Sequence, residues 1–147
     1  MSYQHILVAI DESPISYAAV EATLALAKSL GSQVTVATVL AVDPFVGVDF
    51  YKIAPSITDY VMQAQKNAED QLAEIKLSFL RDEIPVHTKI IHGQEPAEGI
   101  LLAADEVGAD LIIMGSHGRK GLKKLFLGSV AQSGLTISPL PGMIIKQ

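Results

Sequence analysis

The stretch from Met114 to Ser129, "MGSHGRKGLKKLFLGS", gathers four glycines (Gly115, Gly118, Gly121, Gly128) and four cations (Arg119, Lys120, Lys123, Lys124) without a single acid. Glycine admits positive φ and lets the backbone approach a ligand closely. Successive N–H groups in such a segment form a concave anion site. Gly128-Ser129 opens a helix predicted over 129–137, whose first N–H groups lack intrahelical acceptors and face any anion placed there. The helix dipole adds about 0.3–1 kcal/mol for an exposed anion. The Ser129 hydroxyl supplies a further donor, and Arg119 and the lysines supply counter-charge. The chemistry these residues suit is polyphosphate binding. Charge alone would not distinguish this from an ordinary solvated loop; glycine spacing and placement after a strand do.

Other constellations offer less. GxxxxGK[ST] is absent, as is GxGxxG, so neither the P-loop nor the Rossmann dinucleotide fingerprint applies. Ser116-His117 with distant Asp11 lacks the Gly-x-Ser-x-Gly elbow of a hydrolase triad. Asp11-Glu12 resembles the acidic pair of a phospho-receiver, but His92-Gly93 stands where an acceptor aspartate would follow the third strand. His5, His87 and His92 lack the compact spacing of a zinc site. His87 and His92 are an odd number of residues apart on a predicted strand, hence on opposite faces, and His5 opens a strand with no ligand near it. Phe45, Phe50 and Tyr51 lie in a 43–58 loop, as anchors of that loop, a contact patch or a lid.

The elements that must position these residues alternate along the chain. "HILVAID" (5–11) reads as a strand buried on both faces. Ser13 caps the following helix and Pro14 fits its first turn, with Gly31 as the stop. Strands are predicted at 33–42, 86–92, 110–115 and 142–146. A helix near 58–83 carries the apolar stripe Val61, Ala64, Ala68, Leu72, Ile75 and Phe79. Another begins at Pro96, presents Ile100, Ala103, Ala104 and Val107 on one face, and closes at Gly108 in a left-handed cap. Strict alternation implies an α/β domain spanning 1–147, an open five-stranded parallel sheet with helices on both faces. In such sheets ligands bind at the carboxyl ends of the strands. Asp11, the 39–43 region and Gly115 onward therefore come into view.

Composition narrows the class. The chain has 147 residues, 49% of them hydrophobic, and a net charge of −5. A global attraction to nucleic acid or to anionic membrane is not expected. With no cysteine, disulfide and thiolate chemistry are excluded. The N-terminus has no basic n-region and no apolar run long enough to span a bilayer appears, so a soluble cytoplasmic protein is expected.

Gly115-x2-Gly118-x9-Gly128-Ser129, "HILVAIDESP" with Asp11-x-Ser13, and "GADLIIMGSHGRKGLKKLFLGSVA" together resemble the universal stress protein family in its ATP-binding form, across essentially the whole chain. The resemblance implies a Rossmann-like fold of the adenine-nucleotide α-hydrolase type, with strand order 3-2-1-4-5. Residue by residue it implies that Asp11 faces the adenosine. Val39 flanks adenine, and Ala9 and Met114 line the apolar wall. Gly115 touches ribose, and His117, Gly118 and Arg119 lie by the phosphates. Gly128, Ser129 and Val130 cradle them, with Mg2+ or Mn2+ bridging phosphate oxygens. The family's usual Pro-Cys-Pro-Val turn and Val-rich last strand read here as "ISPLPGMIIKQ", with Gly142 and Met143 in place of β-branched residues, a departure that bears on the dimer pairing this strand often makes in the family and not on the nucleotide site.

The expected function is ATP-dependent regulation, the nucleotide switching a homodimer or tetramer, or a surface for a protein client such as a membrane transporter. A slow ATPase and a nucleotide-independent interaction module are the alternatives. Few groups could serve as a general base, namely Asp11, His117 and Glu12.

Overall fold

The computed structural model describes residues 3–40, 55–93, 96–116 and 140–146. Its elements are β1 (His5–Ile10), α1 (Ile15–Leu30), β2 (Gln33–Leu40), α2 (Pro55–Arg81), β3 (Val86–His92), α3 (Pro96–Val107), β4 (Leu111–Gly115) and β5 (Gly142–Ile145). The five strands form one sheet in the order β3-β2-β1-β4-β5, and each neighbouring pair is parallel. This is the expected architecture and strand order.

β1 lies at the centre and is buried at all six positions, which explains why its sequence reads as a continuous aliphatic run and not as an alternation. Side chains of alternate parity enter two separate cores. Ile6, Val8 and Ile10 join Val34, Val36, Leu111 and Ile113 beneath α1 and α2. Leu7 and Ala9 join Ala37, Val39, Ile112 and Met114 beneath α3. The stripe read along α2 is buried at Val61, Ala68, Leu72, Ile75 and Phe79, while Ala64 is half-exposed. Fully burying a side chain such as Phe79 or Met114 stabilises by about 1.5–3 kcal/mol, so both faces of the sheet are anchored by apolar packing.

Several boundaries differ from the sequence reading, each for a local reason. α2 starts at Pro55, three residues earlier than expected; a proline fits the first helical turn because its missing N–H has no partner to lose there. It ends at Arg81, not 83. Glu83 takes φ 58, Glu83 N–H donates to Leu80 O at 3.0 Å, and Ile84 N–H donates to Phe79 O at 3.0 Å. Those two bonds make a Schellman closure, with Phe79 and Ile84 supplying its apolar contact. Gly31 and Gly108 end α1 and α3 at φ 70 and φ 72, as the sequence led us to expect. Ser13 does not cap α1. Pro14 takes the N-cap position, where its ring has no group to bond a helix N–H, and the Ser13 hydroxyl is turned onto Asp11. The helix predicted over 129–137 and the 43–54 part of the aromatic loop lie outside the described residues.

Candidate functional site

Strand parity assembles the carboxyl end of the sheet. Ala9 of β1, Val39 of β2 and Met114 of β4 belong to one apolar cluster on the α3 face. All three are buried, and together they form an apolar floor at this end of the sheet.

Asp11 follows the last residue of β1 and is 6% exposed. A carboxylate in that position needs partners, since burying one unpaired is costly. Its Oδ1 accepts from Ser13 N–H at 2.8 Å and from Ser16 Oγ at 3.0 Å, and the Ser13 hydroxyl also donates to it. The Asp11 N–H in turn donates to Ser16 Oγ at 2.9 Å. From α2, Gln71 Nε2 donates to the Asp11 carbonyl at 2.9 Å. Two helices thus fix the backbone and the side chain of this one residue.

Gly115 has a packing reason of its own. A Cβ there would lie 2.7 Å from Ile15 Cγ1 and from Cγ2, a distance that carbon atoms do not tolerate. The first residue of α1 occupies the space that a side chain would need. Immediately after it, Ser116 N–H donates to Ile145 O at 2.8 Å, so β5 holds the point where the glycine-rich segment departs. The Ser116 hydroxyl oxygen is buried without a hydrogen-bond partner among the described residues. An orphaned hydroxyl, an oriented carboxylate and an apolar floor at one strand end are what a nucleoside, apolar on its base face and polar at its sugar, would fit.

Of the residues expected to form the site, Ala9, Asp11, Val39, Met114 and Gly115 are brought to the carboxyl ends of β1, β2 and β4. His117, Gly118, Arg119, Gly128, Ser129 and Val130 lie outside the described residues. Sequence reasoning missed Ile15, Ser16 and Gln71. Ser16 left a faint signal, a hydroxyl among the alanines of α1 on its buried face. Gln71 left none, because its partner is a backbone carbonyl 60 residues away.

A cleft of about 250 Å³ opens on the other face of the sheet, between α2 and the ends of β1 and β2. Thr38, Leu40, Glu12 and the amides of Gln63, Asn67 and Gln71 contribute to its lining. Gln63 Nε2 donates to Asn67 Oδ1 at 2.8 Å, and Gln71 joins this cleft to the backbone of Asp11.

His5 stands at the opposite, amino end of β1. It is 7% exposed and its Nε2 lies 2.7 Å from Thr35 Oγ1, a polar partner that the sequence reading did not foresee. Burial holds its pKa below the ordinary histidine value, with the nearby His87 adding to the effect and Asp110 and the Val107 carbonyl opposing it. Among the described residues, no three His, Asp or Glu side chains group closely enough to hold a metal ion. No described helix is long and apolar enough to cross a membrane.

A parallel sheet in the order 3-2-1-4-5 with helices on both faces defines a Rossmann-like, doubly wound α/β protein. The model of the Universal stress protein family matches residues 2–146, and the chain belongs to that family. It is 30% identical over 154 residues to the universal stress protein YxiE of Bacillus subtilis, covering 98% of this chain and 99% of the relative. Among solved structures it resembles protein MJ0577, with a TM-score of 0.74 at 25% identity, covering 100% of this chain and 98% of the other. It also shares its fold with the universal stress protein from Archaeoglobus fulgidus in complex with dAMP, with a TM-score of 0.60 at 22% identity, covering 99% and 100% of the two chains.

Proposed function

We propose that this protein binds an adenine nucleotide, ATP in the first instance, at the carboxyl end of its sheet, and that binding regulates an assembly or a partner. The observation that carries this reading is the placement of Asp11, Val39 and Gly115 at the carboxyl ends of three adjacent strands, β1, β2 and β4, beside the apolar cluster of Ala9, Val39 and Met114. The glycine-serine series Gly115, Gly118, Gly128 and Ser129 supports it from the sequence, and the capture of dAMP by a relative of the same fold is consistent with it. In this reading Asp11 and Val39 address the nucleoside. His117, Gly118, Arg119, Gly128, Ser129 and Val130 take the phosphates, with Mg2+ or Mn2+ between the phosphate oxygens.

In this reading the role is binding and not turnover: of the candidate bases, the Asp11 carboxylate is engaged by Ser13 and Ser16 and is poorly placed to take a proton from water. A ligand shifts an equilibrium only as far as it binds two states differently. The output is therefore a nucleotide-dependent change in a homodimer or tetramer, or in a surface for a cytoplasmic client such as a transporter's soluble face. Isothermal calorimetry on nucleotide-stripped protein tests the reading. The expected result is ATP binding near micromolar Kd, about −8 kcal/mol. Absence of heat with ATP, ADP and AMP alike would overturn it.

A further inference from the structure

We infer that Ser16, on the first turn of α1, is the positioning residue that sets the Asp11 carboxylate for nucleoside recognition. The inference rests on the reading of Asp11 as a nucleoside contact. Ser16 is 4% exposed. Its hydroxyl accepts the Asp11 N–H at 2.9 Å and donates to Asp11 Oδ1 at 3.0 Å. One hydroxyl thereby links the backbone of Asp11 to its own side chain and closes a ring that restricts both side-chain torsions.

Ser16 is the second residue of α1, so the carbonyl four residues before it, that of Glu12, lies outside the helix. A hydroxyl within a helix tends to bond back to a carbonyl four residues earlier, as Thr23 Oγ1 does to Ala19 O at 2.8 Å in the same helix. Ser16 turns its hydroxyl to the strand end instead. Ser16 shares the buried face of α1 with Ala19 and Val20, where alanine would have the better helix propensity. Propensity thus gives no reason for a hydroxyl here, and Asp11 does. Ser13 also donates to the carboxylate, but it lies two residues away on the same turn and moves with Asp11. Ser16 belongs to a helix whose preceding residue, Ile15, is lodged against Gly115. Through that adjacent pair, α1 sets the relative positions of the β1 and β4 ends: Ile15 touches one and Ser16 holds the other.

The test compares wild type, Ser16→Ala and Ser16→Thr for binding of ATP and of inorganic tripolyphosphate, alongside amide hydrogen exchange at Asp11. Positioning predicts that Ser16→Ala weakens ATP about tenfold or more and leaves tripolyphosphate within about twofold, since Asp11 serves the nucleoside and not the phosphates. The Asp11 amide should exchange faster while the Val8 amide keeps its protection. Ser16→Thr, which keeps the hydroxyl, should recover ATP binding to within about threefold of wild type. Wild-type ATP affinity in Ser16→Ala would overturn the inference. Equal loss of ATP and tripolyphosphate would overturn it as well, by showing general damage to the fold. A wild-type protein that binds no ATP overturns the nucleotide reading and the role of Ser16 with it; in that case the exchange data at Asp11 still report whether the ring of hydrogen bonds exists.

Discussion

At the amino end of β1, Asp110 accepts the backbone N–H groups of Gln4 and His5 at 2.9 and 3.0 Å, and its own N–H donates to His5 O at 2.8 Å. At the carboxyl end, Asp11 takes side chains and N–H groups from Ser13, Ser16 and Gln71. Both ends use one aspartate to organise the mouth of the central strands, but the directions differ. Asp110 works as an acceptor for strand backbone that would otherwise end unpaired, which is a stability role. Asp11 is itself the object being held, and nothing about strand pairing requires its carboxylate to be oriented. The support around Asp11 answers the cost of burying a carboxylate, and in the proposed reading it also readies that end for a ligand.

The comparison can be broken by variants at either end. The largest effect is expected at the carboxyl end: Gly115→Ala forces a methyl into Ile15 and should cost about 3 kcal/mol of unfolding free energy. Adding Ile15→Ala should return part of that loss, so the double variant is less destabilised than the sum of the singles. Urea unfolding of the four proteins measures the coupling, and strict additivity would show that the two residues do not meet.

Next in size is Asp110→Ala, expected to cost about 2 kcal/mol while leaving ATP affinity unchanged. A drop in affinity would erase the division of labour between the two ends.

A smaller, pH-dependent effect belongs to His5. Its folded pKa lies below the ordinary value, so above about pH 6.5 neither state carries the proton and His5 adds no pH dependence. As the pH falls through that value, the unfolded chain binds the proton first and stability declines, with a slope of at most about 1.4 kcal/mol per pH unit. His5→Asn should flatten that part of a melting-temperature profile between pH 7 and 5.

The smallest effect is expected for Lys89→Ala. It removes a 2.9 Å pair with Glu106 whose side chains are 35% and 62% exposed, and should change stability by under about 0.5 kcal/mol.

Much of this design was legible in the residues. The aliphatic runs give the strands, the three- and four-residue spacing from Val61 to Phe79 gives the inward face of α2, and the rule that α/β sheets bind ligands at strand carboxyl ends singles out Asp11 and Gly115. Fold and strand order followed from these and from the family resemblance. Three kinds of feature stayed hidden. Long-range pairs such as Ile15 with Gly115 and Gln71 with Asp11 depend on how whole elements pack, which no local pattern encodes. The end of α2 uses Glu83 in a left-handed conformation where the usual glycine signal is missing. Ser13 fits a capping pattern, yet its hydroxyl is drawn to a buried carboxylate, a stronger partner than an exposed helix N–H. In each case a tertiary partner outcompeted the local rule.

The contact between Ile15 and Gly115 also bears on how this chain can change over generations. Position 115 is closed to any side chain for as long as position 15 is branched and large, and position 15 has little reason to shrink while 115 stays bare. The two positions, a hundred residues apart, are therefore expected to change together. A library randomised at both should return small residues at 15 whenever 115 gains a methyl, and should return almost nothing on the diagonal where both are large.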